Sequence, residues 1–331
     1  MLKKLSTAAV LATSLLASTA AYAGDVVSFG IISTESTVNL KKTWTPFLDA
    51  MKKRTGLEIK AFFASDYAGV IEGMRFNKVQ IAWFGNKSAM EAVNRSKGEI
   101  FAQTVDVDGN PGYWSVLITQ KDSPINSLDD VLKCDKSINF GIGDPNSTSG
   151  FLVPTTYIFA AQNVDPKKCF KTVRNASHQI NALSVAAKQV DVATNNTESM
   201  ARIKITKPAE FAKIKEIWRS PLIPADPLVW RKDLAENIKS KVYKFVMSYG
   251  RNGTPKEIKA ARKVLAALQW APFKPSSNAQ LYPIRILAIN KNILKIKGDT
   301  KYSDAEKEEK IAALMDQAAK IEALVKMVPS M

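Results

Sequence analysis

Residues 138–161 read INFGIGDPNSTSGFLVPTTYIFAA, and the class of fold can be inferred from this segment. Its first five residues have the composition of a buried strand, and the apolar run that begins at Phe151 has the length of a helix. The helix opens at Ser147, Thr148 and Ser149, three hydroxyl side chains where one would suffice as a cap. The segment therefore predicts a strand, a turn and a helix in succession, the unit from which α/β proteins are built.

The same alternation of strand and helix patterns extends to about residue 232, and it implies parallel sheets covered by helices. Beyond that point only helical patterns are expected. Strands are predicted at 26–33, 57–64, 79–85, 100–108, 113–121, 138–142, 171–176, 191–195 and 215–220, and the helices between them include 38–56, 66–78 and 178–189.

The first 23 residues of the 331 have the pattern of a secretory signal peptide, with Lys3 and Lys4, an apolar stretch and the ending Ala21-Tyr22-Ala23. We therefore exclude residues 1–23 from the fold and expect an exported, periplasmic protein. No later segment approaches the roughly 18 to 20 apolar residues of a membrane span. The remaining length is typical of two domains.

The formal net charge of +16 could attract nucleic acid or other anions. The lysines are scattered along helical patterns and mixed with acids, which indicates solvated helix faces and no nucleic-acid partner. An apolar stripe on the last predicted helix, 303–327, is expected to pack on the protein's own body, with a homodimer contact as the alternative.

Only two cysteines occur, Cys134 and Cys169. They could form one disulfide in an oxidising compartment, or they could be two buried thiols. Each lies just before a predicted strand, and those strands, 138–142 and 171–176, are expected to be parallel neighbours because one crossover helix joins them. This placement favours the disulfide.

Polar residues cluster where the predicted strands end, which is where ligands bind in open α/β sheets. A helix N-terminus attracts an anion through its unpaired N–H groups and its dipole. Three hydroxyls at such a point suggest a tetrahedral oxyanion, whereas a cap with an Asx turn at 144–146 is the structural alternative. The other strand ends carry Ser65-Asp66-Tyr67, Ser177-His178 and Asn196-Thr197-Glu198.

An enzyme is less well supported by the sequence. Ser147, His178 and Asp226 have the residue types of a hydrolytic triad, but no G-x-S-x-G elbow and no P-loop is present. One histidine and two cysteines offer no metal-ligand cluster. We therefore predict neither a metal nor a cofactor, and a secreted phosphoester or phosphonate hydrolase is the least favoured alternative.

Six blocks, in order and over nearly all of the chain after residue 23, resemble the periplasmic phosphonate-binding proteins of ABC importers. The resemblance implies capture of alkylphosphonates and delivery to an inner-membrane permease with its ATPase. The blocks are FGIISTES (29–36), FFASDYAGVIEGMRFNKV (62–79), PGYWSVLI (111–118), GDPNSTSGFLVP (143–154), VDVATNNTE (190–198) and SPLIPADPLVWRK (220–232).

The resemblance also implies a type II periplasmic binding protein fold, in which two α/β lobes close on a ligand cleft and two crossing strands form the hinge. The crossings are expected at 113–121 and near 228–230. Lobe 1 would comprise 24–115 and 229–275, lobe 2 would comprise 116–228, and helices in 276–331 would pack on lobe 1.

Carried over residue by residue, the family pattern implies a ligand set of eight side chains. Glu198 and Asp226 match the two acids that receive the ammonium group of aminoalkylphosphonates such as 2-aminoethylphosphonate. A binding protein for phosphate, phosphite or a sulfonate, in which these acids are unused, is the alternative. The side chains that match the phosphonate shell are Tyr67, Tyr113, Ser147, Thr148, Ser149 and His178.

Two positions depart from the family pattern. Gln80 stands where an acid is usual, and Phe84 where tyrosine is frequent. Neither belongs to the matched ligand set, so they put in doubt only the local polarity of the cleft.

Overall fold

The computed structural model describes residues 26–327, so the predicted signal peptide at 1–23 lies outside the described residues. Its strands, in chain order, are β1 (Val26–Ile31), β2 (Glu58–Phe63), β3 (Ile81–Trp83), β4 (Gly98–Asp106), β5 (Gly112–Tyr113), β6 (Ser115–Gln120), β7 (Asn139–Ile142), β8 (Thr172–Asn175), β9 (Val192–Asn196), β10 (Ile214–Arg219), β11 (Ile223–Pro224), β12 (Pro227–Arg231) and β13 (Trp270–Pro275).

The helices cover both faces of the sheets and form the C-terminal part of the chain. They are α1 (Thr37–Thr55), α2 (Tyr67–Arg75), α3 (Asn86–Arg95), α4 (Leu128–Val131), α5 (Pro166–Cys169), α6 (His178–Ala186), α7 (Thr197–Thr206), α8 (Pro208–Phe211), α9 (Glu236–Ser248), α10 (Pro255–Ala267), α11 (Tyr282–Gly298) and α12 (Asp304–Met327). Two wider, π-helical turns at Thr148–Leu152 and Thr155–Ala160 make one further helix, which we call the wide helix, and a short 3₁₀ turn spans Asn278–Leu281.

The strands form two main sheets, and each sheet is the centre of one lobe. The first lobe has the order β13-β4-β12-β3-β1-β2 and the second has β10-β6-β9-β7-β8. The chain passes between them at residues 107–114 and 220–226, where β5 and β11 pair antiparallel. The strands expected to cross lie inside the sheets instead, β6 in the second and β12 in the first, so the passages precede them by a few residues.

Both sheets are mixed, and the prediction of parallel sheets was wrong in this respect. β1 runs parallel to β2 and β3, but β12 returns antiparallel to β3 and β4. The expectation of helices alone after residue 232 was also wrong, because Trp270–Pro275 forms β13 on the edge of the first sheet. Trp270 and Phe273 are buried in the aromatic core, so packing rather than local preference sets this conformation.

An aromatic cluster fills the core of the first lobe. Phe29, Trp44 and Phe47 are at most 2% exposed and meet at ring distances of 5.5 to 6.5 Å. Such pairs prefer tilted or edge-to-face geometry, as these do. The side chains lie on β1 and α1, so the cluster fixes α1 against the sheet whose strand ends carry the site.

β7 and β8 are parallel neighbours, with Asn139 beside Thr172. Cys134 and Cys169, which precede the two strands, are joined in a disulfide. The bridge therefore closes the edge of the second sheet at the end opposite to the strand termini where the site lies.

The C-terminal helices do more than cover the first lobe. α11 contacts α3 there, and Arg285 donates to Asn94 at 2.8 Å. α11 also packs on the wide helix of the second lobe, and Gly298 approaches Asn163, just beyond that helix, so closely that a Cβ on Gly298 would clash with the Asn163 side chain. The predicted packing on lobe 1 is thus incomplete, because α11 bridges both lobes.

α12 packs mainly on α11, and none of its described side chains is fully buried. The predicted apolar stripe is partly covered: Ile311, Leu314 and Ile321 are half-buried, whereas Met315 remains 60% exposed. Over residues 26–327 no helix combines the length and apolar character that a membrane span requires.

Candidate ligand-binding site

All eight side chains of the predicted ligand set line one small cavity between the lobes. Each is at most 9% exposed, so the lobes are closed over it. Ile32 and Gly85 complete the apolar and backbone part of the lining. Four polar or aromatic side chains that the sequence analysis did not assign also line the cavity: Thr34, Trp83, Asn196 and Arg202.

The start of the wide helix forms one end of the cavity. Ser147 caps it and accepts from the Gly150 N–H at 3.0 Å. Ser115 Oγ donates to the Ser149 carbonyl at 2.6 Å, and Thr194 Oγ1 donates to the Gly150 carbonyl at 2.8 Å. Because side chains of the neighbouring strands β6 and β9 donate to these two carbonyls, the carbonyls are hydrogen-bonded outside the helix, which is consistent with the widened first turn of the helix. The sheet thereby fixes the helix start.

The three hydroxyls are arranged as donors. The Lys87 N–H donates to Thr148 Oγ1 at 2.8 Å, and the Asn196 side-chain amide donates to Ser149 Oγ at 3.0 Å. Ser147 Oγ likewise accepts from the helix backbone. A hydroxyl whose oxygen already accepts a protein hydrogen bond still has its own hydrogen to donate. The hydroxyls and the helix N-terminus therefore present convergent donors, as an oxyanion requires.

His178 is a neutral, buried side chain at the start of α6. Its Nε2 lies 3.2 Å from the Asn196 amide nitrogen and 3.4 Å from Ser147 Oγ. Burial, with a further contribution from the positive charge of Arg202, lowers its pKa to about 3. The imidazole thus contributes as a neutral hydrogen-bonding group at physiological pH.

The two tyrosines line the cavity and have different polar partners. Tyr67 begins α2, its backbone N–H donates to Asp144 Oδ2 at 3.1 Å, and its ring lies on the side of Ser147. Tyr113 donates to Asp226 Oδ1 at 2.9 Å, on the side of the acids. Burial first, and then nearby carboxylates, raise the pKa of both phenols well above 10, so both remain donors.

Glu198 and Asp226 form an acidic end that is costly to ionise. Burial raises the pKa of Glu198 to about 6, although Arg202 opposes the effect. Burial and the charge of Glu198 raise the pKa of Asp226 well above its ordinary value. Two buried carboxylates repel each other, so the pair favours a proton or another cation beside it.

Three of the four side chains outside the predicted ligand set carried partial signals in the sequence. Trp83 ends β3 and Asn196 ends β9, so the strand-end rule points to both. Arg202 follows Glu198 by four residues on α7, which places both on one helix face. Trp83 Nε1 is buried and has no hydrogen-bond partner within the described part of the chain.

The two departures from the family pattern lie away from this lining. Gln80 accepts from the Ser28 N–H at 2.9 Å and donates to the Asn77 carbonyl at 2.7 Å, so it braces the turn before β3. Phe84 is fully buried in the core of the first lobe. Between residues 26 and 327, no group of three or more His, Cys, Asp or Glu side chains is arranged as a metal site.

Direct hydrogen bonds join the lobes around the cavity. The Ser36 N–H donates to Gln179 Oε1 at 3.0 Å, and the Gln179 N–H donates to the Thr34 carbonyl at 3.3 Å. The backbone of Lys87 bonds to Thr148 across the cleft in the same way. The closed arrangement is therefore stabilised by direct contacts between the lobes, in addition to the contacts that a bound ligand would make.

Comparison with known proteins agrees with this geometry. The profile of the family described as "ABC transporter, phosphonate, periplasmic substrate-binding protein" matches residues 29–281. The phosphonates-binding periplasmic protein of Escherichia coli (strain K12) is 55% identical over 291 residues, 88% of this chain and 84% of the relative. The phosphate-import protein PhnD of Mycolicibacterium smegmatis is 30% identical over 209 residues, 60% of this chain and 64% of the relative. The crystal structure of a binding-protein component of an ABC phosphonate transporter from Pseudomonas aeruginosa has a TM-score of 0.88 and 54% identity, covering 92% of this chain and 99% of that chain.

Proposed function

The chain belongs to the periplasmic substrate-binding proteins of ABC phosphonate transporters, and we propose that its ligands are aminoalkylphosphonates such as 2-aminoethylphosphonate. As a member of this family it has the type II periplasmic binding protein fold and is a binding protein, not an enzyme. It works in the periplasm with a membrane permease and its ATPase. The lining of the cavity supports aminoalkylphosphonates as the ligand class.

The observation that carries the proposal is the opposite character of the two cavity ends. One end offers a helix N-terminus and the hydroxyls of Ser147, Thr148 and Ser149. The other end holds Glu198 and Asp226, both buried and both with a raised pKa. A molecule with an anion and a cation a few bonds apart matches both ends at once, and an aminoalkylphosphonate is such a molecule.

At the hydroxyl end the phosphonate oxygens would accept charge-assisted hydrogen bonds. Each is worth about 1.5 to 3 kcal/mol net. The helix dipole adds to this attraction without a lysine or arginine beside the oxygens. A few such bonds bring the affinity to about the micromolar range or tighter, since 1 μM corresponds to about 8 kcal/mol.

At the acidic end an ammonium group would take the place of a proton. Glu198 and Asp226 repel each other and are desolvated, so ionising both is unfavourable until a cation lies between or beside them. An ammonium group supplies that charge together with three hydrogen-bond donors. The ligand's cation would thus convert an unfavourable carboxyl pair into a binding contact.

An anion without an amine is the second candidate for the ligand: phosphate first, followed by phosphite or a sulfonate. Phosphate is considered because a relative at 30% identity, from M. smegmatis, is a phosphate-import protein. In that case Glu198 and Asp226 would not contact the ligand.

Isothermal titration calorimetry with 2-aminoethylphosphonate, ethylphosphonate and phosphate tests the proposal. The first two have the same carbon chain and differ by the amine. We expect 2-aminoethylphosphonate to bind at least tenfold more tightly than ethylphosphonate, and phosphate to bind more weakly than both. Equal affinity for the first two ligands, or a preference for phosphate, would reject the aminoalkylphosphonate assignment.

Three further predictions remain proposals. Cleavage after residue 23 is checked by N-terminal sequencing of protein exported by the cell. The division into lobes, predicted at 115/116 and 228/229 but expected a few residues earlier from the passages at 107–114 and 220–226, is checked by comparing open and closed crystal forms. Packing of α12 on the protein's own body, with a homodimer through its exposed part as the alternative, is checked by light scattering.

A further inference from the structure

One ion pair joins the two lobes at the cavity. Arg202 Nε on α7 of the second lobe lies 2.8 Å from Glu35 Oε1, which belongs to the segment after β1 in the first lobe. Each side chain is only 14% exposed. Within residues 26–327, every other ion pair joins residues of the same lobe or of α12.

Arg202 is also part of the cavity wall, alongside Glu198 and Asp226. Its charge lowers the pKa of both acids, in opposition to their burial. The same guanidinium therefore faces the ligand site on one side and the opposite lobe on the other. This places it where occupancy of the cavity and separation of the lobes can affect each other.

The surroundings of Glu35 hold it against the second lobe. Its neighbours Thr34 and Ser36 exchange hydrogen bonds with Gln179 across the cleft. Residues 34–36 thus form a strip that contacts α6 and α7 when the lobes are closed. Opening about the passages at 107–114 and 220–226 separates this strip from Arg202, and water then screens both charges.

From this placement we propose that Arg202 and Glu35 form a latch that stabilises the closed, ligand-holding state, with Arg202 acting as a positioning residue of the binding site. The proposal rests on the proposed function, since it assumes that a phosphonate binds by lobe closure. A contact made only in the closed state slows ligand release and leaves the encounter rate nearly unchanged.

Stopped-flow kinetics with 2-aminoethylphosphonate and with ethylphosphonate test the latch. We expect Glu35→Gln to raise the dissociation rate of both ligands about tenfold, as for loss of a partly buried charge pair, with an association rate within about twofold of wild type. Asp122→Asn is the matched control, because it removes the exposed Lys188–Asp122 pair within the second lobe. It should leave both rates unchanged.

A double-mutant cycle separates a latch from a general loss of structure. The variants are Glu35→Gln, Arg202→Gln and the two combined, compared by dissociation rate and by unfolding of the ligand-free protein. We expect Glu35→Gln to add less than about twofold once Arg202 is replaced, since the partner is already absent. Additive effects, or a wild-type dissociation rate in Glu35→Gln, would overturn the latch. Failure of the wild-type protein to bind either phosphonate would instead overturn the proposed function.

Discussion

The buried carboxyl of Glu198 should make the binding of an amine-bearing ligand pH-dependent. Its pKa of about 6 means that the group is ionised at pH 7.5 and mostly protonated at pH 5. The ligand's ammonium, like that of lysine with a pKa of about 10.4, stays charged over this range. In the proposed binding mode the ammonium binds the ionised carboxylate, so lowering the pH to 5 should weaken binding about tenfold through this group.

The variant Glu198→Gln isolates this contribution. At pH 7.5 it removes a charge-assisted hydrogen bond of about 1.5 to 3 kcal/mol, which corresponds to a tenfold to 150-fold loss of affinity for 2-aminoethylphosphonate. Ethylphosphonate has no amine and should bind the variant at least as well as the wild type. The phosphonate itself also takes up a proton near pH 6, as phosphate esters do, but both proteins share that effect.

The assay is isothermal titration calorimetry of both proteins at pH 7.5 and pH 5, in two buffers of different ionisation enthalpy. The ratio of wild-type to variant affinity should shrink about tenfold between the two pH values, because the wild type alone must release the Glu198 proton. At pH 6 the wild type should release about half a proton more than the variant on binding. A ratio that does not change with pH would refute the role of Glu198 as the ammonium partner.

The same pKa has a consequence for stability. The folded state holds the Glu198 proton more tightly than the unfolded chain, so this group lowers stability as the pH rises from about 4.5 to about 6. Above that range, Glu198→Gln should raise the free energy of unfolding by on the order of 2 kcal/mol. Urea denaturation of the ligand-free proteins at pH 7.5 and pH 4 measures it, and equal stability of the two proteins at pH 7.5 would contradict the reasoning.

The other predictions concern the hydroxyl end, the indole and the disulfide. Thr148→Val keeps the shape but removes a donor to the phosphonate, so both amine-bearing and amine-free ligands should bind about tenfold more weakly by calorimetry; a loss confined to the amine-bearing ligand would contradict this. Trp83→Phe removes the buried N–H of a side chain that lines the cavity, and we expect about fivefold to tenfold weaker binding, whereas Trp44→Phe, in the same aromatic cluster but outside the lining, should bind as the wild type does. Replacing Cys134 and Cys169 by serine opens a loop with a sequence separation of 35 and should cost about 4 kcal/mol in urea unfolding, without changing the affinity.

Much of the fold could be inferred from the sequence because local patterns and tertiary packing agree in it. The segment around Ser147 reads as strand, turn and helix, and it folds that way. The local sequence of Trp270–Pro275 does not predict a strand, since it contains two prolines and follows a helical region. Its conformation comes from the burial of Trp270 against distant aromatic side chains, which no local pattern contains.

The site divides in the same way. The hydroxyls at a helix start and Glu198 after a strand end are visible in the sequence, since their position in an α/β fold places them at the cleft, whereas Asp226 was predicted from the family resemblance alone. The partner of Arg202 is 167 residues away in the chain and meets it only across two closed lobes. No spacing rule reaches such a contact, so the sequence places Arg202 on the helix face of Glu198 but does not identify Glu35 as its partner.

α11 lies across the junction between the two lobes, where it contacts α3 and the wide helix that begins at the cavity. α11 therefore bridges the two lobes, and when the lobes move apart its contact with either α3 or the wide helix must shift. The position of α11 relative to the lobes should therefore change when the lobes open and close. A fluorophore attached near the end of α11 should change its emission with each capture and release, and such a sensor would need no label inside the cleft.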